Sequence, residues 1–221
     1  MTARLRPLLL ATCLPLLGGC ALLGGGGKDS KITIYSPLPT QPASAAAISG
    51  HTGGVTADWQ LGIARPSAAR MLDSPRIAVR PTPQELQVYR GATWSMPATD
   101  LLEAAVLRVL EDGGQLAGVA RLTSGLHSDY RLVMDVRRFE ADYAGQATPT
   151  ATIEVSAKLL RSQTQKVVAS ELFLATTPAS ATALEQVVPA FAQSLDSISR
   201  QIAAWTLARG QADRQRSTPV N

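Results

Sequence analysis

The sequence predicts an α/β domain in which β-strands carry two amphipathic helices. Three observations lead there. Segments rich in β-branched and aromatic residues alternate apolar with polar positions at intervals between Lys31 and Thr176, the period of a half-buried strand. Two stretches, Leu101–Leu110 and Leu184–Trp205, repeat apolar residues every three or four positions, which stacks them along one side of a helix. The chain has 221 residues, and the part beyond its N-terminal segment is long enough for one domain with a real hydrophobic core.

The N-terminal segment has its own logic. Arg4 and Arg6 precede an apolar run from Pro7 to Leu17, and the run ends in Leu17-Gly18-Gly19-Cys20. A charged start, a short apolar stretch and small residues at a junction make a secretory signal. The run is too short to cross ~30 Å of hydrocarbon as a helix. Cysteine at the junction resembles the lipobox of bacterial lipoproteins. That resemblance implies that residues 1–19 are a signal peptide, that the Cys20 thiol accepts a diacylglycerol, and that a peptidase cuts before it. Ala21, rather than Asp, follows the cysteine, which by the sorting rule of enteric-type bacteria implies the outer membrane. Residues 20–30 then form the acylated cysteine and a tether, because Gly24 to Gly27 hold no regular element. Ten tether residues reach at most roughly 33–36 Å.

The domain is expected over residues 31–208. Lys31–Tyr35 reads as a strand, ended by Ser36-Pro37-Leu38-Pro39. Residues 40–56 are Ala/Ser/Gly-rich and read as a flexible loop. Trp59–Ile63 is a second strand, Pro66–Leu72 a short turn of helix, and Arg76–Arg80 a third strand broken by Pro81-Thr82-Pro83. Glu85–Tyr89 is a fourth, after which Arg90-Gly91 turns the chain. The first helix has Pro97 in its first turn and Asp100 and Glu103 near its positive end. Leu101, Leu102, Ala105, Val106, Val109 and Leu110 form its apolar face, and Gly113-Gly114 closes it.

Leu116–Leu122 is a weak strand and Ser128–Tyr143 a strong one. In the latter, Tyr130, Leu132, Met134 and Val136 share one face, while Phe139, Ala141 and Tyr143 continue on the opposite parity. One face stays buried through that switch only if an extra residue is inserted, which predicts a β-bulge near Arg137-Arg138. Gly145-Gln146 turns the chain into Thr148–Arg161, with Ala151, Ile153, Val155, Ala157 and Leu159 inward. Lys166–Thr176 is a further strand whose two faces are similarly apolar, so the buried face stays open. Thr182 and Glu185 have the spacing of a capping box. The stripe Leu184, Val187, Val188, Phe191, Leu195, Ile198, Ile202 and Trp205 predicts a core helix, with Pro189 a source of bending near its start. Residues 209–221 are polar and read as a frayed tail.

Composition excludes several functions. Without residues 1–19 the chain carries 19 basic and 17 acidic residues, scattered along its length, which argues against nucleic acid. Cys13 falls in the signal, so Cys20 is the one cysteine left and no intramolecular disulfide forms. His51 and His127 lack the spacing of metal ligands, and no cofactor motif is present. The chain has no phosphate-binding Gly-x-x-x-x-Gly-Lys loop and no Gly-x-Ser-x-Gly elbow. Ser124, His127 and Asp129 crowd into six residues, and a periplasmic hydrolase would use them. Catalytic triads, however, are assembled from distant segments, so a turn is the better reading. Glu140 and Asp142 read as solvent-facing strand charges rather than an acid/base pair.

The order of short motifs is informative: Tyr35-Ser-Pro-Leu, Pro75-Arg-Ile-Ala-Val-Arg80, Glu85-Leu-Gln-Val-Tyr-Arg90, then Trp94 and a helix. Ser128-Asp-Tyr-Arg-Leu132, Val136-Arg-Arg-Phe-Glu140 and a helix ending in Trp205 complete it. With the lipobox ahead, this resembles the ABC-type transport auxiliary lipoprotein family across about residues 31–206. The resemblance implies a mixed β-sheet with the helices packed on it, and a non-enzymatic outer-membrane lipoprotein. Its partners would be the MCE-domain proteins of an ABC transporter that moves lipids or other hydrophobic compounds between membranes. Docking would be its role, and homo-oligomeric assembly is an option. An envelope-assembly lipoprotein that binds a β-barrel or a lipopolysaccharide machine is the competing class.

Overall fold

Nine strands join one mixed sheet around a single long strand, in a computed structural model that describes residues 31–38, 57–125 and 127–217. The signal, Cys20, the tether and the loop 40–56 lie outside the described residues. In order the elements are β1 (Thr33–Tyr35), β2 (Ala57–Ile63), β3 (Ser67–Ala68), β4 (Arg76–Thr82), β5 (Glu85–Trp94), α1 (Ala98–Gly113), β6 (Leu116–Arg121), β7 (Tyr130–Asp142), β8 (Thr150–Arg161), β9 (Val167–Pro178) and α2 (Leu184–Ser217). One edge of β7 receives three parallel strands in succession: β2 at Tyr130–Leu132, β3 at Asp135–Val136 and β4 at Glu140–Asp142. Its other edge pairs antiparallel with β8 along the whole strand, and β8 pairs with β9. Outside these, β6 adds to β2 and β5 to β4, with β1 parallel to β5.

The expected bulge is present. Val136 faces Val155 and Arg138 faces Glu154, so β7 holds one extra residue there. This keeps Tyr130, Leu132, Met134 and Val136 on the same buried face as Phe139 and Ala141, opposite the fully buried Leu159, Ala157, Val155, Ile153 and Ala151. Both helices lie on that face, α2 against β8 and β9, α1 against β6 and α2. On β9 the buried side chains are Phe173 and Ala175, while Leu172 and Leu174 face outward and are more than half exposed.

Four local expectations change. Ser67–Ala68 is a strand on β7, and the turn after it is closed by the Leu72 and Asp73 amides on the Ala69 carbonyl. Strand β4 runs through Pro81 to Thr82, because the register with β5 shifts between Val79 and Thr82 and no regular ladder amide is needed there. Arg90-Gly91 does not turn the chain. Gly91, at φ 68°, sits in a bulge within β5, between Val88 opposite Ala78 and Thr93 opposite Arg76. The second helix opens at Ala183, whose carbonyl takes the Val187 amide, so Thr182 stands outside it and the Glu185 carboxylate accepts the Tyr35 hydroxyl instead.

Helix α1 follows its sequence more closely. Pro97 is its N-cap residue and Gly114, at φ 58°, its left-handed C-cap. Asp100 takes the Arg65 guanidinium, while Glu103 is buried and bonded to Arg121 at 3.0 Å. In α2, Pro189 is exposed, so the carbonyl it leaves without a helical donor faces water.

The largest departure is at the C-terminus, where α2 continues to Ser217 instead of fraying at Arg209. Its last turns are docked. Gly210 lies so close to Trp59 that an added Cβ would sit 2.5 Å from Cζ2, and the Trp59 indole N–H reaches Gln211 at 3.4 Å. Gly210→Leu is therefore expected to lower the melting temperature, since overpacking at about 1–3 kcal/mol outweighs a helix-propensity gain below about 1 kcal/mol. A melting temperature at or above wild type would show that these turns are not seated on Trp59.

Candidate functional site

The stripe on α2 also leaves a gap. Where α1 and α2 run side by side, small residues face one another: Ala105 on α1, Ala192 and Ser199 on α2. The helices cannot close over them, and a slot of about 350 Å³ opens, floored by Pro37, Val109 and Leu195 as well. A second depression of about 430 Å³ shares Val109, Asp112 and Arg200 with it and continues past Ala203 and Leu207. At the rim, Arg108 pairs with Asp112 at 3.7 Å and Arg200 with Asp196 at 2.9 Å, each one helical turn apart. Ser199 is fully buried, and its hydroxyl has no hydrogen-bond partner among the described residues.

Charged groups inside the fold serve structure. Glu140 is buried, not solvent-facing. Strand β4 brings Arg80, whose guanidinium donates to both carboxylate oxygens at 2.7 and 3.0 Å, and Arg138 from β7 donates at 2.7 Å. Asp142 is half-buried and takes the other arm of Arg138. A carboxylate that accepts three hydrogen bonds from two guanidiniums has most of its acceptor sites engaged in holding the fold.

A second cluster ties the end of α2 to the sheet. Asp213 accepts Arg161 at 2.7 and 3.0 Å and the Tyr130 hydroxyl at 2.9 Å. The Arg161 guanidinium, helped by the Tyr130 hydroxyl, holds the Asp213 carboxyl below the usual carboxylate range against the pull of burial. Burial, then the bond to Asp213, pushes the Tyr130 phenol up to about 12. A depressed carboxyl stabilises the fold above its unfolded pKa of about 3.9, and that stabilisation is lost as pH falls through the folded value. Asp213→Asn is accordingly expected to cost about 1–3 kcal/mol at pH 7, with the difference from wild type shrinking below about pH 4. Urea midpoints measured across pH 2–7 test it, and a pH-independent difference would remove the ion pair from the account.

Ser124, His127 and Asp129 are not assembled into a triad. The Ser124 hydroxyl donates to the Arg121 carbonyl at 2.7 Å, and the Asp129 carboxylate accepts the Gln60 amide at 2.9 Å and lies 3.8 Å from Arg214. The segment is the turn that leads into β7. Among the described residues no three His, Cys, Asp or Glu side chains gather as a metal site, and no helix is long and apolar enough to cross a membrane. Cys20, the expected lipid attachment point, lies outside the described residues.

Sequence reasoning missed the slot and both ion clusters. The seven-residue spacing of Ala192 and Ser199 is a signal for the slot, but the large residues alone define the stripe. Arg216, three residues on, is the local partner of Asp213, but it does not reveal the burial, which comes from Arg161 and Tyr130, 52 and 83 residues away.

Comparison with known proteins agrees with the motif order. The family described as "ABC-type transport auxiliary lipoprotein component" matches residues 38–203. A crystal structure of a Xanthomonas campestris protein is 51% identical, covers 83% of this chain and 99% of its own, and superposes with a TM-score of 0.72. A further crystal structure, of an uncharacterized protein, has a TM-score of 0.59 at 16% identity over 79% of this chain and 97% of its own, a likeness of fold alone. An uncharacterized protein of Bradyrhizobium diazoefficiens is 26% identical over 187 residues, 84% of this chain and 47% of that protein, so the chain spans about half the length of that curated relative.

Proposed function

Because the chain belongs to the ABC-type transport auxiliary lipoprotein component family, we propose that it is the membrane-anchored docking subunit of an ABC-driven transport system for lipids or other hydrophobic compounds. The family match over residues 38–203 is the observation that carries this reading. The anchor is Cys20, acylated after removal of residues 1–19. The membrane is the outer one, with the domain facing the periplasm, and the partners are MCE-domain proteins of the transporter. The chemistry of the domain supports a role in contact rather than catalysis: among the described residues the buried carboxylates Glu103, Glu140 and Asp213 are each held in guanidinium pairs. Its exposed apolar side chains, Ile32 just before β1, Ile34 on β1, and Val167, Leu172 and Leu174 on β9, offer surface to partners or to further copies of the chain. Energy for transport comes from a separate ATPase.

Two experiments test the proposal. Photo-cross-linkers placed on the domain surface in intact cells are expected to capture an MCE-domain protein. Capture of a β-barrel or of a lipopolysaccharide-export component instead would give the place to an envelope-assembly role. Cys20→Ser, expressed behind an ordinary cleavable signal, is expected to leave a folded domain in the soluble periplasmic fraction, because two or more acyl chains are needed for stable attachment. If that variant still pelleted with membranes after a high-salt wash that strips protein partners, the acyl anchor would be rejected.

A further inference from the structure

We propose that the slot between α1 and α2 receives one alkyl chain of a zwitterionic phospholipid, with its headgroup at the Arg108–Asp112 and Asp196–Arg200 rim. The inference rests on the transport reading above and adds a ligand site to it. The floor is suited to hydrocarbon. Pro37, Ala105, Val109, Ala192 and Leu195 present methyl and methylene groups. A peptide would bring an amide and a carbonyl with every residue, and this floor would leave them unpaired. An alkyl chain brings none.

Shape and place agree. A volume of about 350 Å³ lies within the range of small-ligand pockets, about 300–1,000 Å³. The adjoining depression extends it along the helices, from Ala105 to Gly113 on α1, about 12 Å, and from Ala192 to Leu207 on α2, about 22 Å. The rim offers two guanidiniums, which suit a phosphate, and two carboxylates, which suit an ammonium. Ser199 lines the slot with its hydroxyl turned out of reach of solvent and without a hydrogen-bond partner among the described residues, so it adds no polar group to the slot's open surface. Pro37, which lines the slot, is 17 residues from Cys20, a length of chain that spans at most roughly 60 Å.

The test uses the chain from residue 20 onward as Cys20→Ser, which removes its own acyl groups as a source. It is mixed with vesicles of phosphatidylethanolamine and phosphatidylglycerol containing a trace of phosphatidylethanolamine with a photoreactive diazirine in one acyl chain. After illumination, labelled peptides are mapped by mass spectrometry. Label is expected to concentrate around Val109 and Leu195. Ala192→Phe, which fills the slot, is expected to reduce that label at least tenfold with the melting temperature retained. Should Ala192→Phe fail to fold, Val109→Trp at the half-buried edge serves in its place. Leu174→Glu, on the outer face of β9, is expected to leave slot labelling unchanged. Unchanged label in the filled variants, or label centred on Leu172 and Leu174, overturns the proposal. The acylated protein in the same vesicles is expected to label equally, and label seen only without acylation assigns the slot to the anchor's own chain and overturns it. So does a sedimenting dimer with α1 and α2 protected, which makes the occupant a second copy. If cross-linking in cells still captures MCE-domain proteins while the slot stays unlabelled, the slot inference falls alone. Failure of both removes the transport reading.

Discussion

Replacing Phe191 with Ala is expected to lower the stability of the domain by about 3–5 kcal/mol, the range for truncating a buried aromatic. Phe191 is fully buried on α2 and stacks on Phe139 of β7, with ring centroids 5.3 Å apart and planes at 18°. Trp94, from the end of β5, meets both rings edge-on, at 5.0 Å from Phe191 and 5.9 Å from Phe139. The three rings therefore join the long helix to the central strand and to β5. Removing one leaves a cavity walled by two rigid rings that cannot collapse into it, so the cost belongs in the upper part of the range. Chemical denaturation of the soluble chain reads the effect. Phe191→Leu should recover part of the loss. An unchanged midpoint with partner binding abolished would make the stripe an interface rather than core.

Glu140→Ala is expected to cost a comparable amount, about 3–5 kcal/mol, for a different reason. The hydrophobic effect plays no part. The substitution leaves Arg80 and Arg138 facing each other across the β4–β7 junction, with side chains 25% and 30% exposed and no carboxylate between them. Uncompensated charge in a half-buried site is costly, and the remaining Asp142 pairs directly with Arg138 but reaches Arg80 only through a weaker Coulombic attraction. Because water reaches part of both guanidiniums, the value should fall toward the lower end. Glu140→Gln keeps the shape and some of the hydrogen bonds and should cost less. A double substitution that also removes Arg138 should recover stability relative to Glu140→Ala alone, as coupled neighbours do. Purely additive losses would show that the clamp does not act as a unit.

These two sites differ in how visible they were along the chain. Phe191 belongs to a repeat every three or four residues, and Phe139 to an alternation, so each announced its own burial. The same alternation located the bulge at Arg137-Arg138 from its change of parity. Glu140 sits in the opposite phase of that alternation, where a charge ordinarily meets solvent. Its burial depends on Arg80, 60 residues away, being laid beside it by the β4–β7 pairing. The slot was hidden for a related reason: Ala105, Ala192 and Ser199 are unremarkable on each helix and matter only because they face one another.

What the sequence by itself determined is what neighbouring residues specify. Periodicity set the strands and helices, a left-handed glycine closed α1 at Gly114, and inserting one residue in β7 restored its buried face. Tertiary structure alone decided which face of β9 is inward, since both faces are apolar and only the seating of Phe173 against Trp205 separates them. It decided that one edge of β7 serves three strands, and that the polar end of α2 continues as helix. That last segment has no apolar stripe to hold it, and its helix is kept by the fit of Gly210 on Trp59 and the bonds of Asp213 to Arg161 and Tyr130. Polar and small residues take their meaning from partners brought in from far along the chain, whereas a large apolar residue in a regular repeat requires burial wherever the chain places it.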